Sequence, residues 1–200
     1  NVAIFSVVNA VLLEDLPYPN PEQLVEVGTA MTDGRFTNGL IAPVEMHGVV
    51  DGANTLSAVG GTFLFDVVFL AADDRPIKSL TYVVPEGFFD VFRTPMLLGR
   101  SFLPEEHVEE APTVLVLSAR IWRDAYGANR NIVGSAIQTS AGPLTVVGIA
   151  SDVMDFPEGA DAWGTFGVDA GSTAHFWDGV ARLRPGPATE ASTRDLDGVM

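Results

Sequence analysis

An apolar run that breaks into a series of prolines constrains this chain more than any other feature. From Val2 to Leu13 only Ser6 and Asn9 are polar, and no residue is charged. Glu14-Asp15 follow, and then the segment LPYPNPEQLVEV, with Pro17, Pro19 and Pro21 at alternate positions. Prolines spaced this way cannot belong to one continuing helix, so the chain must leave any helix formed by the run here. Leu24-Val25-Glu26-Val27 then alternates as a short strand does. The run is shorter than the roughly 20 residues that span a bilayer. It reads as the outer end of a membrane helix in a longer protein, with the remaining chain on the water side. A signal peptide is a rival reading, but the run has no basic n-region and no Ala-x-Ala-like site after it. A buried amphipathic helix is the third reading. Acids in place of Lys or Arg after the run are what the positive-inside rule permits on an outer face.

The 200 residues are enough to bury a substantial core, as one large domain or two intertwined small ones. With 47% hydrophobic and 18% charged residues, the composition is that of a folded chain. The formal net charge of -15 would repel a polyanion, which argues against DNA or RNA as a partner. Cysteine is absent, and with it disulfides, thiolate metal sites and cysteine nucleophiles.

Further along, residues 42–57 carry a weak helical pattern that Gly48 and Gly52 interrupt. Gly60-Gly61 reads as a turn before a β-rich run at 62–70. Asp73-Asp74-Arg75-Pro76 is a second turn signal, and residues 77–84 complete a predicted hairpin. Residues 86–92 form an aromatic helical turn, and a loop runs through Pro95, Gly99 and Arg100. The apolar stretch 113–117 is a strand. Ser118 is placed to cap a helix over 119–126, which Gly127 ends. Residues 132–140 and 144–149 are expected to pair, 152–172 is irregular, and 176–183 returns as a strand. Helix-forming residues run from Thr189 to Met200. No repeat of solenoid period occurs, and the mixture of strand pairs and helices is that of an α+β fold.

The search for reactive groups finds no Walker loop and no G-x-G-x-x-G. Ser118 lacks a nucleophile elbow, and capping accounts for it. His47, His107 and His175 are far apart, with no metal-ligand spacing. Glu105, Glu106, Glu109 and Glu110 lack the alternation of a calcium loop and read as a solvated face. Asp73-Asp74 and Asp152/Asp155 are conceivable acid/base pairs, but turns routinely carry Asp. Trp122, Trp163 and Trp177 are able to stack a sugar or drug, although packing is their commoner use. The expected catalytic, cofactor-binding and metal residues are none.

Whole segments are more telling. NVAIFSVVNAVLLEDLPYPNPEQLVEV resembles the end of the first transmembrane helix and the first periplasmic strand of MacB-like ABC transporter permeases. That family commonly shows N-x-A-I-F-S-x-V-N-A-V-L-L followed by L-P-Y-P-x-P-x-x-L-V. VVPEGFFDVFRTPMLLGRSFLPEE, APTVLVLSARIWRDAYGANRNIVGSAI, LTVVGIASDVMDFP and ARLRPG match in the same order. The resemblance is weakest over residues 31–78. The family often has a basic residue where this chain has Glu14-Asp15, and residues 34–39 and 164–171 look particular to this chain.

The resemblance implies a two-lobed α+β periplasmic core domain inserted between the first two transmembrane helices. Residues 1–16 would end the first helix. Residues 17–84 with 174–200 would form a βαβ-type lobe, and 85–173 an inserted mixed lobe. It also implies a bacterial inner-membrane location with this domain on the periplasmic side, no enzymatic activity and no cofactor. The implied partners are a cytoplasmic ABC ATPase, reached through the membrane helices, a second permease copy in a dimer, and a periplasmic adaptor or substrate. The alternatives are a membrane-anchored module binding glycan, peptide or metal, which needs a deep pocket lined by Trp163, Trp177 or the acids at 105–110, and a hydrolase, which needs two carboxyl groups meeting in a cleft.

Overall fold

A computed structural model describes residues 4–5, 16–30, 40–46, 55–167, 169 and 171–185. Its strands are β1 (Ile4–Phe5), β2 (Leu24–Val27), β3 (Thr29–Ala30), β4 (Leu56–Leu70), β5 (Pro76–Val83), β6 (Met96–Gly99), β7 (Val114–Leu117), β8 (Ala136–Thr139), β9 (Gly142–Ala150), β10 (Ala162–Gly164) and β11 (Asp178–Leu183). Its helices are α1 (43–46), α2 (Phe88–Phe92) and α3 (Ala119–Tyr126). The fold is α+β, as the sequence indicates. By packing, the chain forms two compact units, 1–61 with 87–93 and 168–200, and 62–86 with 94–167.

In the first unit β11 lies between β2 and the start of β4. It runs antiparallel to β2, with Gly179 opposite Val27 and Arg182 opposite Leu24. A side chain at Gly179 would collide with the Val27 carbonyl, so glycine permits the close approach of these strands. The aromatic turn Phe88–Phe92 is helical, and Phe88, Phe89, Val91 and Phe92 are all buried. Gly60-Gly61 is not a turn, because both glycines lie within β4. A Cβ at Gly60 would stand 3.1 Å from the Phe88 Cα, so the bare backbone lets α2 lie against the strand. Leu56 and Ser57, expected at a helix end, already belong to β4, and among the described residues of that expected helix 43–46 are helical. Ile4–Phe5, expected within the membrane-helix end, form the short strand β1 instead, because they pair antiparallel with β3. The rest of the expected membrane-helix end, residues 1–3 and 6–15, lies outside the described residues, as does the helix expected from Thr189 onwards. Among the described residues no helix is long and apolar enough to cross a membrane.

The second unit holds the predicted hairpin, with Phe63 opposite Val83 and Leu70 opposite Pro76. β10, which falls in the stretch expected to be irregular, pairs parallel with β5 and antiparallel with β7. Those ladders attach residues 62–86 to this unit, whereas the sequence reading placed a boundary after residue 84. β7 runs parallel to β9, and β9 pairs with β8 and with β6, itself expected to be loop. α3 follows β7, capped as expected by the Ser118 hydroxyl, which accepts the Ile121 N–H at 3.3 Å, and closed by Gly127 at φ 57°. Ile121, Trp122, Ala125 and Tyr126 form its apolar stripe. They pack in one core with Phe69, Leu115, Leu117 and Ile149. The Tyr126 hydroxyl donates to the Leu70 carbonyl at 3.0 Å, and burial pushes its pKa up to about 12.

Candidate functional site

In the first unit one side chain draws together stretches of chain far apart in sequence. β11 is buried from Val180 to Leu183, and in this otherwise apolar run stands Arg182, 0% exposed. Its Nη1 donates to the Pro19 carbonyl at 2.8 Å, the Asn20 carbonyl at 3.2 Å and the Gln23 Oε1 at 3.4 Å. Its Nε donates to the Val91 carbonyl near the end of α2. No carboxylate among the described residues forms an ion pair with it. Nη2 is buried without a hydrogen-bond partner. Burial lowers the Arg182 pKa, the charge of Arg93 adds to this and Glu22 opposes it. A guanidinium nevertheless keeps its proton at physiological pH. The carbonyls near a helix end carry partial negative charge and have no partner within the helix, so they suit a cation.

The bonded segment is the proline-paced entry itself. Tyr18 is buried between the exposed Pro17 and Pro19, its ring centroid 5.0 Å from that of Phe92. Asn20 adopts the left-handed conformation at φ 49°, and its carbonyl accepts the Gln23 N–H as the 3-10 turn Pro21–Gln23 begins. The Tyr18 ring and the Arg182 guanidinium therefore fix the entry to α2 and β11. Sequence reasoning missed Arg182. The available signal was a lone cation in the run Val180-Ala181-Arg182-Leu183.

The residues singled out from sequence are occupied otherwise. Trp122 donates from Nε1 to the Asn129 carbonyl, and Trp163, 0% exposed, donates to the Phe156 carbonyl. Trp177 is buried as well, so none of the three offers a stacking face. Glu106 forms a bidentate pair with Arg100 at 2.9 and 2.7 Å, which holds its carboxyl below the usual range. Asp73 accepts the Arg75 N–H in its turn. Asp152 pairs with Arg123, and the Asp155 carboxylate accepts the Gly159 N–H at 2.8 Å. Asp152 and Asp155 both line a cavity of about 180 Å³ with Ser118. Arg123 keeps the Asp152 carboxyl below its ordinary pKa, the reverse of what a general acid needs. His175 contacts Glu45 at 3.1 Å, and His107 is half-buried against Phe102. His47 lies outside the described residues. No group of three potential ligands able to hold a metal occurs among the described residues.

The family model of the MacB-like periplasmic core domain matches residues 1–198. The chain belongs to that family. The fold agrees with solved members. The periplasmic region of MacB from Actinobacillus actinomycetemcomitans superposes with a TM-score of 0.63 at 15% identity, covering 86% of this chain and 79% of that one. The extracellular domain of the ABC-type transporter YknZ from Gram-positive bacteria gives 0.61 at 14% identity, covering 85% and 88%. No curated protein matches by sequence. This MacB-like core domain is thus a periplasmic or extracellular region of an ABC-transporter permease. The Arg182 side chain alone donates four hydrogen bonds.

Proposed function

We propose that this domain is a non-catalytic coupler. A cytoplasmic ATPase moves the transmembrane helices of the permease, and the domain passes that motion to substrate export or to a periplasmic partner. The observation that carries this reading is Arg182. Through it, the entry at Pro19–Gln23, the returning strand β11 and the end of α2 are bonded to one guanidinium. Segments bonded in this way move together, because displacing any of them leaves a buried charge or carbonyl unpaired. In the coupling reading, the entry follows the first membrane helix and β11 leads back towards the second. The likeness to the MacB periplasmic region supports the same setting.

The test uses the full-length permease with its ATPase in proteoliposomes. Arg182→Met is expected to leave ATP hydrolysis running while export per ATP falls, and Arg182→Lys to recover part of the loss. Unchanged export per ATP in Arg182→Met, with the domain still folded, would refute the coupling role.

A further inference from the structure

The loops around residues 100–111 and 165–167 of the second unit present large apolar side chains to solvent. Phe166 is 61% exposed, Val108 55% and Leu103 36%. These loops are firmly built. Arg100 grips Glu106 in two bonds, the Leu103 N–H donates to the Glu106 carboxylate at 2.8 Å, and the Ala111 N–H closes a turn on the Val108 carbonyl. Gly167 presses so closely on the other loop that a Cβ would stand 2.6 Å from the Val108 carbonyl oxygen, so the backbone next to Phe166 runs against the backbone of Val108 and Glu109. Singly exposed apolar side chains are ordinary, but several on neighbouring, well-bonded loops offer a surface on which a partner can bury them.

The charge around this surface selects the partner. Glu105, Glu109 and Glu110 are exposed, and Glu106 alone is neutralised. Residues 101–118 and 159–173 contain no Lys or Arg. An anionic lipid surface is repelled by such a rim. A second copy of this chain, also carrying -15, meets the same repulsion. We infer that this surface docks a basic amphipathic segment of another polypeptide, with apolar side chains on Phe166 and Val108 and Lys or Arg against the glutamates. This names the chemistry of the periplasmic partner in the coupling reading and rests on that reading only for the partner's purpose.

The test is binding by the 200-residue chain of a fluorescent Leu/Lys peptide with helical amphipathic spacing. A peptide of equal composition with its apolar positions scattered, a Leu/Glu counterpart and vesicles containing anionic lipid serve as comparisons. The amphipathic Leu/Lys peptide is expected to bind most tightly. Phe166→Ser with Val108→Ser should weaken it about tenfold or more, while Phe166→Leu retains binding. Glu105→Gln, Glu109→Gln and Glu110→Gln together should lower affinity and flatten its salt dependence. Equal binding of the scattered peptide, tighter binding to vesicles, or unchanged affinity in the double serine variant would overturn the inference. Transport plays no part in the readout, so failure here is distinct from failure of the coupling role.

Discussion

The unit made of residues 1–61, 87–93 and 168–200 places a charged guanidinium where a core residue would ordinarily stand. The unit made of 62–86 and 94–167 instead closes on Phe69, Leu117, Trp122 and Ile149, an apolar cluster of the ordinary kind. An apolar core gains from every contact about equally and tolerates changes of shape that preserve volume. A guanidinium bound to carbonyls is directional and leaves specific groups unpaired when it moves. The second arrangement suits a segment that must keep one position relative to its neighbours, and in this molecule that segment is the proline-paced entry.

The comparison breaks most readily at Phe69, which is fully buried. Phe69→Ala should cost about 4 kcal/mol by chemical denaturation, with hydrogen exchange rising in β7 and β9 and little changed in β11. Equal acceleration in β11 would show that the two units open as one. Arg182→Met should cost about 3 kcal/mol, because the Pro19, Asn20 and Val91 carbonyls lose their donor. Arg182→Lys should recover part of this. If both variants match wild type in urea melts, the guanidinium does not hold the unit together. Ser118→Ala removes the cap of α3 and should cost about 1 kcal/mol, its effect confined to the exchange of α3 and its neighbours.

The smallest expected effect depends on pH. Burial holds His107 below its usual 6.5 in the fold, so the unfolded chain binds the proton more readily. The stability from neutral His107 is present in full above pH 6.5 and lost as pH falls through its lower folded value. Arg100 likewise keeps Glu106 below its usual 4.5, so that contribution is present above pH 4.5 and lost in stronger acid. His107→Phe should flatten the melting temperature between pH 7 and 5, leaving the Glu106 loss at lower pH. An unchanged pH profile in that variant would remove His107 from the account.

Much of the fold was legible wherever neighbouring residues decide it. Ser118 and Gly127 bound α3 as read, β7 is the apolar run, and Asp73-Asp74 marks the hairpin turn. The ordered family segments reached further, to the kind of domain this is. What escaped depends on partners distant in the chain. β6 and β10 are short strands recruited by the edges of β9, β5 and β7, with no strong pattern of their own. Gly60-Gly61 has the letters of a turn, yet α2 packing against the backbone keeps it extended. The bond from Arg182 to Pro19 joins residues 163 apart in sequence. Nothing local distinguishes this arginine from one on the surface, apart from its apolar neighbours.

The Arg182 fastening also has a consequence for endurance. Its acceptors on Pro19, Asn20, Gln23 and Val91 are amide oxygens, which do not titrate, and its donor keeps its proton across the ordinary pH range. The bond to Val91 is buried and the other three are partly buried, so added salt screens them less than it screens exposed pairs. A periplasmic or extracellular domain meets whatever acidity and salinity its surroundings impose. An Asp–Lys pair at the same place would loosen in acid, whereas this joint contains no group that changes charge there.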